Sequence, residues 1–387
     1  MSAAGEAPSA SPLTVRAVAE AEERRAFIDL PWALYRDDPV WIPPLRAERR
    51  LHLSRHNPFF EHGTAESWVA WRGDRPVGRL TAQVDRLHRL HHGPDTGQFG
   101  FLEAENDAAV FAALLGAAEQ WLAARGALRI TGPFNYSINQ ECGVLVDGFA
   151  DPPSVMMPHG RPWYGARLEE QGYRRATDML AYWVEVRFRA PEAMQRLVRR
   201  YATRVTLRRL DRLHFSRDLE ILRDIFNDAW SGNWGFVPLT EAEMSDMGNS
   251  LKLFVPDGYV QIADVDGAPA AFLVLLPNLN EILSGLDGRL LPFGWLKLLW
   301  RMRRHHYLTG RVALMGVRKP FQSTPLGIAL AYQVIDAART VAVEHDMRGV
   351  EMSWILEDNK GMRSILDSIG SRLYKRYRVY EKSLGTA

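Results

Sequence analysis

The chain has 387 residues, enough for two domains of ordinary size that each bury their own core. Its apolar fraction of 47% and charged fraction of 24% are those of a folded globular protein, and a formal net charge of +2 argues against a broad nucleic-acid-binding surface. Cys142 is the only cysteine, which excludes an internal disulfide and a zinc site built on thiolates.

In chain order, residues 1–12 lack the apolar core of a signal peptide and read as a disordered lead-in. No run approaches the roughly 18 apolar residues of a transmembrane helix, so the expectation is a cytoplasmic protein. SWVAWRGDRPVGRLTAQVD reads as a hairpin across a polar turn. The histidines that follow it (His88, His91, His92) sit among Arg86 and Arg89, which repel a cation; a solvated loop is expected there, and no metal. GQFGFLEA reads as a strand. Phe111, Leu114, Leu115, Ala118, Trp121 and Leu122 then lay one apolar stripe down a helix, and ALRITGPF is a second strand. Strand, helix, strand in this order is a βαβ unit, whose crossover demands parallel strands. RPWYGARLEEQGYRRATDMLAYWVEV closes the half as a short helix, a stop at Gly172 and a strand.

After a basic, helical-looking connector (Ala190 to Arg212) the same order returns. GYVQIADVDGAPAAFLVLL is a hairpin, and RVALMGV and GVEMSWIL are strands. Between those strands a second stripe runs through Ala331, Val334, Ile335, Ala338, Val341 and Ala342. NKGMRSILDSIGSRLYKRYRVYEKSL repeats the short helix, its stop at Gly370 and the final strand. One recurring stripe means little, but the whole order twice points to duplication.

That order resembles the GNAT N-acetyltransferase superfamily in both halves, over residues 13–188 and 213–384, with 189–212 as connector. The resemblance implies an α/β protein of two tandem GNAT-like domains. Each would be a mixed, mostly antiparallel sheet with a central splayed parallel pair and flanking helices. FIDLPWALYRDDPVWIPPL, GPFNYSINQECGVLVDGF and the MMPH that follows resemble the YghO-like group, which includes bacterial ceramide synthases. This implies N-acylation of an amine-bearing lipid, a sphingoid base, with a long-chain acyl thioester as co-substrate and no permanently bound cofactor. The alternatives are a Fem-like aminoacyl transferase and a non-enzymatic fatty-acyl-binding protein.

In such a fold the donor lies where two parallel strands splay, with its pyrophosphate on the N-terminus of the next helix. The matching loop of the second half is VRKPFQSTPLG, where Val317, Arg318, Gln322 and Gly327 are the expected donor-binding residues. The superfamily's loop pattern is Gln/Arg-x-x-Gly-x-Gly/Ala; Gln322 and Gly327 match its ends, while Pro325 replaces its central glycine and removes a donor. That departure, with the basic connector, leaves acyl carrier protein open beside acyl-CoA. The first half offers FLEAENDA instead, whose Glu103, Glu105 and Asp107 oppose an anion. A donor half and an acceptor half are therefore expected.

Acyl transfer to an amine needs an acceptor for the ammonium proton and a donor for the leaving thiolate. Polar residues crowd the end of a predicted strand at Asn135 to Cys142, where α/β sheets bind ligands. Glu141 and His159 are the expected acid/base pair, with Asn135 and Asn139 on the substrate. The second half adds Glu351, Glu357 and Asp358 as carboxylates and Tyr374, Tyr377 and Tyr380 as phenols, of which Tyr374 is the expected acid. Trp234 and Phe236 are expected to wall an apolar acceptor pocket. Cys142 reads either as an acyl-accepting nucleophile or as a buried, inert thiol. LLPFGWLKLLWRMRRHH is too short to span a bilayer. It reads as an interfacial segment with peripheral membrane contact or as a core helix over the splayed strands.

Overall fold

The computed structural model describes residues 11–385 apart from 253 and 305; most of the expected lead-in lies outside the described residues. The first half of the chain runs β1 (Leu13–Ala17), α1 (Ala21–Leu34), α2 (Arg46–His52), β2 (Gly63–Arg72), β3 (Arg75–Asp85), α3 (Arg86–His92) and β4 (Thr96–Ala104). It continues through α4 (Ala108–Ala123), β5 (Arg129–Gly132), β6 (Val144–Asp147), α5 (Tyr164–Glu170) and β7 (Arg174–Glu185). The second half opens with α6 (Glu192–Arg200), β8 (Val205–Arg209), α7 (Phe215–Trp230), α8 (Glu241–Lys252), β9 (Val260–Val265) and β10 (Ala268–Pro277). It ends with α9 (Asn280–Leu283), α10 (Gly294–Arg304), β11 (Thr309–Val317), α11 (Pro325–Glu344), β12 (Gly349–Leu356), α12 (Lys360–Ser368) and β13 (Arg372–Ser383).

The duplicated order is borne out. β2–β3 and β9–β10 are antiparallel hairpins, while β4–β5 and β11–β12 are parallel pairs crossed by α4 and α11. Both stripes are buried, except that Trp121 is half-buried and meets Trp68 edge-on at 6.3 Å. Gly172 (φ +82°) and Gly370 (φ +75°) take the left-handed backbone that ends α5 and α12. The amides of Tyr173 and Ser371 then reach back 3.1 Å to the carbonyls of Leu168 and Leu366, the same closure in both halves. α11 is long and apolar enough to cross a membrane, but it is mostly buried against β9, β10 and β11 as a core helix.

Three expectations are corrected. The connector is only partly helical, because its second part is β8, the sheet edge beside β9. Four of its seven arginines are paired within the chain: Arg196 with Glu192, Arg204 with Asp266, Arg208 with Asp218 and Asp264, and Arg212 with Asp257. His88 to His92 lie on α3 rather than in a solvated loop, and His92 Nε2 bonds the carbonyl of Phe236 in the other half at 2.7 Å.

All thirteen strands form one sheet, in the order β1-β2-β3-β4-β5-β13-β7-β12-β11-β10-β9-β8, with β6 also pairing β13. The closing strands are thereby exchanged. β13 lies antiparallel to β5 of the first half, and β7 lies antiparallel to β12 of the second. The two strands pair with each other from Arg174 to Trp183. A core at this junction joins Phe134, Ile138, Met179 and Ala181 to Val237, Leu356, Tyr377 and Val379, so both halves share apolar burial.

Candidate active site

Each half has a splayed parallel pair, and each gap is closed differently. β4 and β5 pair only over Thr96–Gln98 and Arg129–Thr131 before diverging. The chain after β5, whose residues 135–158 are an insertion relative to a minimal domain, then fills the gap: the Phe134 amide donates to the carbonyl of Phe99 and the Phe101 amide to Asn135 Oδ1, both at 2.7 Å. A Cβ on Gly100 would stand 1.8 Å from the Phe134 carbonyl oxygen, so glycine is what allows this approach. At the following helix the Asp107 carboxylate caps α4 by accepting the Ala109 amide at 2.9 Å. An anion already occupies the positive end of that helix.

In the second half β11 and β12 pair over Thr309–Val312 and Gly349–Met352 and then separate. Here the gap is closed by side chains. The Trp230 indole donates to the carbonyl of Met315 at 2.9 Å, and Trp354 packs edge-on to Trp230 at 5.3 Å. A small cavity of about 40 Å³ beside them is lined by Asn139, Arg311, Ala313 and Trp354. Opening this gap takes side-chain rotation, whereas opening the first takes removal of a backbone segment.

Of the four expected donor-loop residues, Val317, Arg318 and Gln322 precede α11 and Gly327 stands in its first turn. Gln322 Nε2 donates to the carbonyls of Val317 (2.8 Å) and Ala229 (3.0 Å). Arg318 bonds the Pro269 carbonyl at 2.8 Å and pairs with Asp224 at 2.6 Å. Thr324 caps the helix by accepting the Gly327 amide at 3.0 Å, and Pro325 takes the first helical position, where its ring suits the backbone. The polar groups of this loop thus hold its own shape, leaving the dipole of a 20-residue helix behind it.

A large, mostly apolar recess lies on the first-half side and has about 340 Å³ of interior space. Its apolar wall comes from Ile28, Pro31, Trp41, Ile42 and Leu45 near α1 and α2, from Val155 and Met157 of the insertion, and from Phe254, Ile282, Leu283 and Leu298 of the second half. Glu48, Arg49, Arg79, Glu103, Asn135, Glu141, His159 and Tyr164 supply its polar lining.

Within that lining the charges are sorted. Arg49 grips Glu141 through two nitrogens at 2.9 and 3.0 Å, and Asn135 Nδ2 donates to the same carboxylate at 2.8 Å. Burial works to raise the Glu141 pKa, but Arg49, His52 and Asn135 outweigh it and hold the group at about 2. Glu141 is therefore a fixed carboxylate and a poor proton acceptor. Glu103, expected only to repel an anion, turns inward instead. It accepts from the hydroxyls of Tyr35 (2.7 Å) and Tyr164 (2.6 Å). Burial raises its pKa against the pull of Arg79 and the two tyrosines.

His159 does not pair with Glu141; its Nε2 lies 3.0 Å from Asp38 Oδ2. Nδ1 is buried and, among the described residues, has no hydrogen-bond partner. Burial outweighs Asp38 and keeps the ring below its ordinary 6.5, hence neutral at pH 7. With Nε2–H directed to Asp38, Nδ1 carries the lone pair. Asp38 gave no signal in the sequence because it lies 121 residues from its partner.

Other expected residues fall elsewhere. Tyr374 donates to Glu351, which also accepts from Ser353, and Arg311 bonds Ser353 Oγ at 2.8 Å and the Val155 carbonyl at 3.1 Å. This buried cluster stands behind the insertion. Burial, then Glu351, push the Tyr374 phenol well above its ordinary range. Tyr377 and Tyr380 are core residues, and Glu357 bonds Arg175 and the Asp178 amide. Burial pushes the Cys142 thiol up to about 12, the inert alternative. Asn139 donates to the Val237 carbonyl at 2.9 Å. Trp234 and Phe236 line neither cavity: Trp234 packs on Phe134, and Phe236 is core beneath α7. Among the described residues no group of three or more His, Cys, Asp or Glu side chains is set to hold a metal ion.

Fold and site together define a tandem GNAT-type N-acyltransferase. The chain superposes over 97% of its length on the whole of a tandem GNAT protein from the clavulanic acid biosynthesis pathway, with TM-score 0.58 and 15% identity. A GCN5-related N-acetyltransferase from Sphaerobacter thermophilus gives TM-score 0.51 at 13% identity, over 97% of each chain. No protein-family model matches the sequence. Its curated relatives are far more similar: it is 48% identical to Protein YghO of Escherichia coli over 96% of this chain and 95% of that one, and 44% identical to a bacterial ceramide synthase of Caulobacter vibrioides over 96% and 98%. The chain belongs to the YghO and bacterial ceramide synthase family, acyltransferases that transfer groups other than aminoacyl groups.

Proposed function

We propose that the protein transfers a long-chain acyl group from acyl-CoA or acyl carrier protein to the amine of a sphingoid base, in the cytoplasm where those thioesters are made. The observation that carries this reading is the large recess, apolar along its walls and ionic at one end, which suits a lipid with a single polar head. The name of the Caulobacter relative supports the acceptor class.

The thioester takes the second-half gap, beside Trp230, Trp354 and the α11 N-terminus, and the amine takes the recess. Met156 lines both spaces and marks where they meet. Glu103, held in place by the Tyr35 and Tyr164 hydroxyls, gives the incoming amine head a hydrogen-bond acceptor. On entry the ammonium gives up one proton to solvent water. The neutral amine attacks the thioester carbonyl, the C–N bond forms and the C–S bond breaks, and a second proton passes from the nitrogen to His159 Nδ1 and on to the thiolate sulfur, leaving amide, free thiol and one released proton. Incubation with sphinganine and either palmitoyl-CoA or palmitoyl carrier protein should yield the amide, read by mass spectrometry. Absence of amide with both donors overturns the proposal.

A further inference from the structure

We propose that the surface formed by residues 289–304 seats the protein on an anionic lipid bilayer and opens the recess to lipid entering from that bilayer; the second clause rests on the acceptor reading above. Fifteen large apolar side chains are exposed among the described residues, and six of them fall between 291 and 300. Leu291 (79%), Phe293 (72%) and Trp300 (61%) are the most exposed of the six. A patch of this density on a globular surface marks an interaction site.

The helix α10 has two distinct faces. At roughly 100° per residue, Trp295, Leu296, Leu299 and Trp300 share its outward side. On the opposite side Arg301 bonds the carbonyls of Ile282 and Ser284 at 2.7 and 2.6 Å, fastening α10 to α9. Leu298, on that inner side, lines the recess together with Ile282 and Leu283. A single helix thus separates the interior space from an apolar outer face.

Charge selects the occupant. Residues 289–304 contain five cations and no carboxylate, and Arg289, Lys297, Arg303 and Arg304 are exposed. A second copy of the chain would bring these cations against their own counterparts. An anionic bilayer neutralises them and buries the tryptophans at headgroup depth. The segment is far too short to span, so the contact is peripheral.

The test is flotation of the full chain with vesicles of phosphatidylcholine alone or with one quarter phosphatidylglycerol. The protein should float with the anionic vesicles and release in high salt. Both Phe293→Ser/Trp300→Ser and Arg303→Glu/Arg304→Glu should weaken binding roughly tenfold or more. These variants should match wild type in acylating amine dispersed in detergent, yet lose rate with amine embedded in anionic vesicles. Flotation without any amide product would sink the acceptor reading and leave the membrane surface standing. Failure of the wild type to bind anionic vesicles, undiminished binding by both variants, or a dimer lost in Phe293→Ser/Trp300→Ser would overturn the surface itself.

Discussion

His159 and Asp38 form a half-buried dyad, 3.0 Å apart, that leaves the second imidazole nitrogen inaccessible and without a partner among the described residues, in a side chain that lines the recess. Removing a positioned general base costs typically 10²- to 10⁴-fold. His159→Ala should therefore lower kcat by about two orders of magnitude or more with little change in far-UV circular dichroism. Because burial keeps the ring below 6.5, the acid limb of kcat/KM should lie below that value. Asp38→Asn removes a partner that favours the imidazolium, so it should move this limb further down and slow turnover. A wild-type rate in His159→Ala, or an acid limb above 6.5, would take the base away from this residue.

Glu141 and Arg49 behave differently, as a partner pair whose integrity matters more than their chemistry. Glu141→Gln leaves the half-buried Arg49 guanidinium with only Glu48 to offset it. Breaking a fully buried pair from one side costs about 3–5 kcal/mol, and the partial exposure of this pair together with the remaining carboxylate should hold the loss near about 2–3 kcal/mol. Urea unfolding should show this, and Arg49→Met combined with Glu141→Met should recover most of it. Since Glu141 titrates near 2, the shape of the pH–rate profile should survive the single change even where the rate falls.

These two residues show where sequence reasoning reached and where it stopped. The elements were legible because stripes, hairpin turns and glycine stops are local signals, and both βαβ units followed from them. The polar insertion was also legible as the place to look. What stayed hidden was which group met which. Glu141 and His159 were near in the sequence and invited pairing, yet each found its partner more than ninety residues away, Arg49 for one and Asp38 for the other. Glu103 read only as an acid opposing an anion, because its enclosure by Tyr35 and Tyr164 depends on α1 and α5 folding over it. Trp234 and Phe236 looked like pocket walls because composition marks apolar residues without saying whether they face a core or a recess.

His62 sets a pH dependence of stability. It lies between Asp85 (2.9 Å) and Glu243 of the other half (3.3 Å), all three buried. Burial alone would push the imidazole down, but the two carboxylates outweigh it and raise the group from 6.5 to about 9. Folding thus favours the protonated form. The stabilisation is full below 6.5 and is lost as the pH rises through 9, a change on the order of 3 kcal/mol. The urea midpoint should fall across this window in the wild type. His62→Gln should flatten the slope, and equal slopes in both proteins would show that His62 is not the titrating group.

The exchanged closing strands make a prediction about how the chain can be divided. Residues 13–188 alone would hold β5 and β7 without the strand between them, since β13 fills that place. The fragment would expose unpaired edges on both and lose the contacts of Tyr377, Val379 and Tyr380, each essentially inaccessible in the whole protein. Residues 189–384 alone would lack β7 beside β12 in the same way. Each fragment expressed by itself should be insoluble or lack a cooperative thermal transition. Co-expressed, the two should assemble into a complex of one copy each that elutes with the intact chain and unfolds cooperatively. Truncation before Arg372 should damage the first half as much as the second, read as loss of protection in β5 by hydrogen exchange. A soluble, cooperatively folded 13–188 would mean that the first half closes its own sheet, and that the exchange follows folding rather than being required for it.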